Sequence, residues 1–164
     1  MVVLSLGCQA GETENDNEPN RETNAWQEAF TPGDRGALLC VWGNASDRLW
    51  SVGGQPDAGI AYHFDGTAWM PAEIPAGPLL NWVHGEGETL YMVGNGGRIL
   101  RRMEDASFQA METPTERPLW GVWVSEDGQA WAVGGDPLST EADPVILHYD
   151  GMTWRTDESW TVDR

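Results

Sequence analysis

The stretch that decides the fold reads Leu119-Trp120-Gly121-Val122-Trp123, then Ala130-Trp131-Ala132-Val133-Gly134-Gly135, then Val145-Ile146-Leu147-His148-Tyr149-Asp150-Gly151-Met152-Thr153-Trp154. The chain writes it three times. The first copy runs from Leu38-Leu39-Cys40-Val41-Trp42-Gly43 through Leu49-Trp50-Ser51-Val52-Gly53-Gly54 to Tyr62-His63-Phe64-Asp65-Gly66-Thr67-Ala68-Trp69. The middle copy is the most diverged: Val83-His84-Gly85, Leu90-Tyr91-Met92-Val93-Gly94, Ile99 to Met103, then Phe108. Trp50, Tyr91 and Trp131 lie about 40 residues apart, the period of a four-stranded propeller blade. Ten tryptophans in 164 residues, most at fixed places in the repeat, are packing residues before they are anything else.

Each copy reads as four short strands. The first is an apolar run, Val-Trp-Gly or its variant, whose near-continuous hydrophobicity predicts an innermost, fully buried strand. The second carries aromatic-x-Val-Gly, with glycines that permit close backbone approach. The third ends at Asp65-Gly66 or Asp150-Gly151, a strong hairpin signal; the middle copy has Glu104-Asp105 there. The fourth opens with Trp69, Phe108 or Trp154. The expectation is an all-β partial propeller with blades at about 37–73, 79–112 and 118–158 in a repeat region 25–164. Trp26 in Asn24–Phe30 stands as the last strand of a preceding blade. A propeller normally closes with at least four blades, so three predict either a fragment of a longer chain or self-association of blade arcs.

At the amino end, Met1 to Leu6 is apolar and Ser5-Leu6-Gly7-Cys8 follows. This resembles a clipped bacterial lipoprotein signal over residues 1–8, and the resemblance implies lipidation of Cys8. Residues 9–24 are acidic and polar, too poor in apolar side chains to fold, as expected of a tether. No run reaches the roughly 20 apolar residues of a membrane helix, so membrane association is expected only through the lipid, in a protein exported to the cell envelope. A formal charge of −17 argues against nucleic acid as a partner.

Val-Trp-Gly, aromatic-x-Val-Gly-Gly and His-aromatic-Asp-Gly-x-x-Trp together resemble repeats of bacterial exported propellers: the sialidase-type (BNR, Asp-box) and photosystem II assembly-factor propellers, and more distantly kelch and galactose oxidase propellers. Ser125-Glu126-Asp127-Gly128-Gln129-Ala130-Trp131 is one residue short of an Asp-box. The resemblance implies fold more than activity, because propellers host unrelated functions.

No catalytic constellation is legible. His63 and His148 share one repeat position, with Arg102 assigned to it in the middle copy, and His84 takes the place of Trp42 and Trp123; a residue recurring once per blade reads as architectural. Arg101 and Arg102, being adjacent in a strand, should point to opposite faces. Cys40 reads as a small buried hydrophobe. Asp136, Glu141 and Asp143 carry oxygens suited to Ca²⁺ but lack the spacing of a calcium loop, so no cofactor is expected. The connections between second and third strands vary most, which marks a binding face. Gln55, Asp57, Asn95, Arg98, Asp136, Glu141 and Asp143 are the candidate ligand-facing residues. The expected function is a non-catalytic, envelope-anchored binding or scaffold module for a protein or glycan. The alternative is a piece of a sialidase- or lyase-type enzyme whose catalytic residues lie on other blades.

Overall fold

A computed structural model describes residues 28–30, 33–139 and 143–159. Cys8, the 9–24 stretch and Trp26 lie outside the described residues. Within them the chain forms twelve strands and no α-helix. Strands β1 (Ala37–Ala45), β2 (Arg48–Gln55), β3 (Ala58–Phe64) and β4 (Trp69–Pro71) make sheet 1. Strands β5 (Leu80–Glu86), β6 (Thr89–Gly94), β7 (Ile99–Arg102) and β8 (Phe108–Met111) make sheet 2. Strands β9 (Leu119–Val124), β10 (Ala130–Gly135), β11 (Pro144–Tyr149) and β12 (Trp154–Thr156) make sheet 3. Each sheet is an antiparallel meander in chain order, blade-like in form, and the fourth strands open at the three aromatics expected to start them.

The three sheets share one register. Trp42 pairs with Trp50 and Trp50 with His63; His84 pairs with Tyr91 and Tyr91 with Arg101; Trp123 pairs with Trp131 and Trp131 with His148. The middle-sheet equivalent of His63 and His148 is therefore Arg101, not Arg102. The absence of Asp-Gly after β7 hides this offset from a reading of the letters alone. Each first strand also carries one unpaired residue near its start, Leu39, Asn81 or Trp120, where the ladder shifts. Opposite that bulge sits a glycine. A methyl group on Gly53, Gly94 or Gly134 would lie 1.9, 2.0 or 2.0 Å from the carbonyl oxygen of Ala37, Leu79 or Pro118. The first Gly of the motif thus admits the incoming backbone, a steric demand no side chain meets.

The hairpins at the other end are closed by aspartates. Asp65 Oδ1 accepts the N–H groups of Thr67 and Ala68 at 2.8 and 2.9 Å, and Asp150 Oδ1 accepts those of Met152 and Thr153 at 2.9 Å each. Gly66 and Gly151 follow at φ +92°. In the middle sheet Asp105 accepts from Ser107, and Ala106 takes a positive φ of +67° without being glycine.

The core lies between sheets. Val52 and Ala61 of sheet 1 meet Val83, Leu90, Met92 and Leu100 of sheet 2. Tyr91, Val93 and Ile99, on the other face of sheet 2, meet Leu119, Val122, Ala132, Val145, Leu147, Tyr149 and Trp154 of sheet 3. The first strands stand side by side, β1 against β5 and β5 against β9. Their expected complete burial does not hold. Sheet 2 is covered on both faces and β6 is buried from Leu90 to Gly94, whereas β1 alternates between exposed and half-buried residues and β9 leaves Trp120 and Trp123 exposed. Hydrophobicity on both faces is not enough; a strand is buried twice only where its sheet has a neighbour on each side. The three sheets form an open set and not a closed ring.

Gly94→Ala is expected to lower the unfolding free energy by about 3 kcal/mol, since the clash is with backbone, and Gly121→Ala, whose new methyl would meet only the Val133 side chain at 3.3 Å, by much less. Urea titration of both variants checks this.

Candidate functional site

The connections between second and third strands gather along one rim, together with the linkers from sheet to sheet. Each connection is tied to the linker leading into its own sheet. Gln55 Nε2 donates to the Asp34 carbonyl at 2.7 Å. The Arg98 guanidinium donates to the carbonyls of Pro75 and Pro78. Asp143 forms an ion pair with Arg117. The connections also bind the outgoing linkers: Gly59 N–H to the Gly77 carbonyl and Gly97 N–H to the Arg117 carbonyl, both at 2.9 Å, and the Thr113 hydroxyl to the Gly97 carbonyl at 2.9 Å. The rim is a continuous chain of polar latches.

This sorts the residues expected to face a ligand. Gln55, Arg98 and Asp143 are latches, and their polar groups are engaged by the protein. Asn95 accepts from Asn81 Nδ2 at 3.0 Å, and its N–H bonds the Leu79 carbonyl. Burial lowers the pKa of Arg98, and the two carbonyls provide the acceptors its charge needs. Asp57 is exposed at the Pro56–Asp57 turn. Asp136 is exposed and caps its own turn, accepting Leu138 N–H at 2.9 Å; Leu138 beside it is 90% exposed. Glu141 lies outside the described residues. The rim therefore presents Asp57 and the Asp136–Leu138 tip, on bases fixed by the latches.

The aromatic positions line up across the strands as ladders. On sheet 1, Trp42, Trp50 and His63 face sheet 2. Trp50 lies 4.6 Å from the His63 ring and 5.4 Å, edge-on, from Phe108. Arg102 sits 6.0 Å over the Trp50 ring, and Trp42 lies 5.8 Å from His84. Glu88 bridges Arg102 at 3.1 Å and Arg48 at 3.5 Å, and a groove of about 290 Å³ runs between these groups. Arg101 points the other way, its Nη1 3.3 Å from the Tyr149 hydroxyl, so the two arginines do lie on opposite faces. On sheet 3, Trp131 stacks on His148 at 4.5 Å and 17°, and Trp123 lies 5.6 Å from Trp131. His148 Nε2 is 2.8 Å from Gln129 Oε1, a contact that assigns the proton to Nε2. Trp123 is 54% exposed and Val133 47%.

Scans against protein-family models, curated proteins and solved structures find no match.

Five aspartates are committed to turns. Asp65, Asp105, Asp127, Asp150 and Asp157 are all held below the usual carboxylate range by hydrogen bonds from turn N–H groups or from Ser and Gln side chains. A carboxylate so stabilised is ionised at neutral pH and is a poor general acid. Cys40 is half-buried, not fully buried as expected. Its Sγ is 3.7 Å from the Val83 carbonyl, and burial raises its pKa, which disfavours the nucleophilic thiolate. No cluster of three His, Cys, Asp or Glu residues suited to a metal exists among the described residues.

Sequence reasoning missed three features. Glu88, in the turn between β5 and β6, gave no signal that it would bridge Arg102 of its own sheet and Arg48 of sheet 1. Gln129 gave no signal as the partner of His148. Asn81 was passed over, yet it is 5% exposed and its Nδ2 donates to the Leu119 carbonyl at 3.0 Å, across to sheet 3. A polar letter at the bulge position, where the other copies carry Leu39 and Trp120, was the available clue.

His84 joins the same two sheets: its Nδ1 accepts the Val124 N–H at 3.2 Å, which requires the neutral ring. Burial lowers its pKa and the Glu86 charge opposes this only in part. With the folded pKa below the unfolded value, the unfolded chain binds the proton more readily. Stability is then full above the unfolded pKa of about 6.5 and declines as pH falls from there toward the folded value. His84→Gln should show a shallower loss of Tm than wild type between neutral and mildly acidic pH, measured by thermal melts across that range.

Proposed function

We propose that the chain is a non-catalytic binding and scaffold module of the propeller type, held at the cell envelope through Cys8, which recognises a protein or glycan through the latched rim. The observation that best supports this reading is the latching itself. Gln55, Arg98 and Asp143 each tie a connection to the linker leading into its sheet, so Asp57 and the Asp136–Leu138 tip stand on fixed bases. Loops carried by a rigid scaffold are the usual place for recognition residues, and a loop ordered beforehand loses less entropy on binding. The acidic tips and the charge of −17 suit a partner with a cationic surface, or a neutral glycan held by hydrogen bonds, better than a polyanion. Asp65, Asp105, Asp136 and Asp150 serve as turn acceptors, which suits recognition without turnover. The polar stretch after Cys8 suits a tether between an acylated amino terminus and a folded array.

In a glycan array and in binding assays with purified envelope proteins, the combined change Asp57→Arg and Leu138→Asp is expected to weaken binding about tenfold or more, as loss of a binding hot spot does, with Tm unchanged. Turnover of a sialoside or polysaccharide that one substitution abolishes would refute the reading.

The anchor is tested separately. Cells fed an alkyne palmitate analogue should label the wild-type protein expressed from its native gene, and Cys8→Ser should carry no label. An unlabelled wild type removes the anchor and leaves the rim reading intact.

A further inference from the structure

Among the described residues two sheet faces have no sheet packed on them, and they are the two halves of a contact the molecule already makes. On sheet 1, Trp42, Trp50 and His63 are covered by sheet 2; on sheet 3 the equivalent Trp123, Trp131 and His148 are not. The register makes the comparison residue by residue. Val52 pairs with Cys40 two places before Trp42, and Val133 pairs with Gly121 two places before Trp123. Val52 is 0% exposed and Val133 47%. The opposite face behaves likewise. Val83 of sheet 2, packed toward sheet 1, is 1% exposed, and its equivalent on sheet 1, Val41, is 63% exposed. The same residue type at the same position is buried where a sheet follows or precedes it and open where none does.

We infer that the open face of sheet 3 takes the open face of sheet 1 of a second copy of this chain, in the arrangement that already joins sheet 1 to sheet 2 and sheet 2 to sheet 3. Both surfaces are present on every molecule, so a second copy supplies what each lacks. The trio on sheet 3 repeats that of sheet 1, where the covering element is a sheet of this chain, and this favours a protein sheet over a sugar on the exposed indoles. Phe30 does not block the contact. It stacks 5.4 Å from Trp69 and 4.9 Å from Tyr62 at the outer end of sheet 1, much as Ala72 and Ile74 contribute to the core between sheets 1 and 2, and leaves Val41 on the inner strand open. The contact is head-to-tail, joining different surfaces of the two copies. The high net charge opposes it at long range only. At about 0.15 M salt that repulsion is screened within about 8 Å.

The test is light scattering and sedimentation of the full chain at micromolar concentration in such salt. Wild type should have at least twice the monomer mass. Val133→Glu and Val41→Glu, both at exposed positions, should each weaken association about tenfold or more by placing a charge in the contact, with melting curves close to wild type. If Val133→Glu lowers the melting temperature, Trp123→Arg at a more exposed position replaces it with the same expectation. Mixing the sheet-3 variant with Val41→Glu should restore a dimer, because the first keeps an intact sheet 1 and the second an intact sheet 3. A monomeric wild type, a mass unmoved by either variant, or a mixture that stays monomeric would overturn the inference. Binding of an oligosaccharide that quenches the Trp123 and Trp131 fluorescence of a monomer would assign the face to a sugar and overturn it as well. None of these outcomes bears on the rim.

Discussion

A short four-stranded sheet has two apolar faces and almost no interior of its own, so everything here depends on how completely each sheet is covered by the next. Sheet 2 has a neighbour on each side and supplies the largest fully buried side chains, among them Tyr91, Leu80, Met92, Ile99 and Leu100. Its odd and even positions serve different partners: Leu90, Met92 and Leu100 go toward sheet 1, and Tyr91, Val93 and Ile99 toward sheet 3. Sheets 1 and 3 are each covered on one side by sheet 2. Stability in such an array is a sum over contacts between neighbours, and the middle sheet holds two of them.

Much of this was legible in the letters. The fourth strands begin at Trp69, Phe108 and Trp154, the aromatics that follow the third hairpin turn of each copy, with Asp-Gly marking that turn in the first and third. Gly53, Gly94 and Gly134 could be marked as close approaches, though not that the approaching group is the carbonyl at the entry to the first strand. What was not legible is which faces have neighbours. Val52 and Val133 are the same letter in the same motif, and only the spatial neighbour separates an interior residue from a surface one. For the same reason β1 was read as buried through and through. The offset between Arg101 and Arg102 went wrong because the motif there lacks the Asp-Gly that sets the count in the other copies.

The rim repeats the lesson for polar residues. Gln55, Arg98 and Asp143 look like recognition groups because they are polar and lie in variable loops. The structure engages them within the protein. A long side chain near a run of linker carbonyls, such as Arg98 beside the Pro75 to Pro78 stretch, satisfies acceptors that no strand reaches. Asp57 and Asp136 are instead exposed at their turns, the Asp136 carboxylate accepting the Leu138 N–H. The distinction between a loop residue that holds a loop and one that the loop displays is three-dimensional, and no motif encodes it.

The bulge residues carry a last consequence. The sheets share strand order, register and the glycine that admits the incoming chain, and on those grounds they look interchangeable. At the bulge they are not. Asn81 sends its amide to the Leu119 backbone of the following sheet, while Leu39 has no amide to send and the Trp120 indole bonds the Gly135 carbonyl of its own sheet. Sheet 2 thus carries an address in its own letters. A gene that duplicated or shuffled these units would move interchangeable shapes, but this one cross-link would arrive intact only if the unit after sheet 2 still offered its carbonyl in the right place. Order along the chain is therefore written into a single amide as well as into the connectivity.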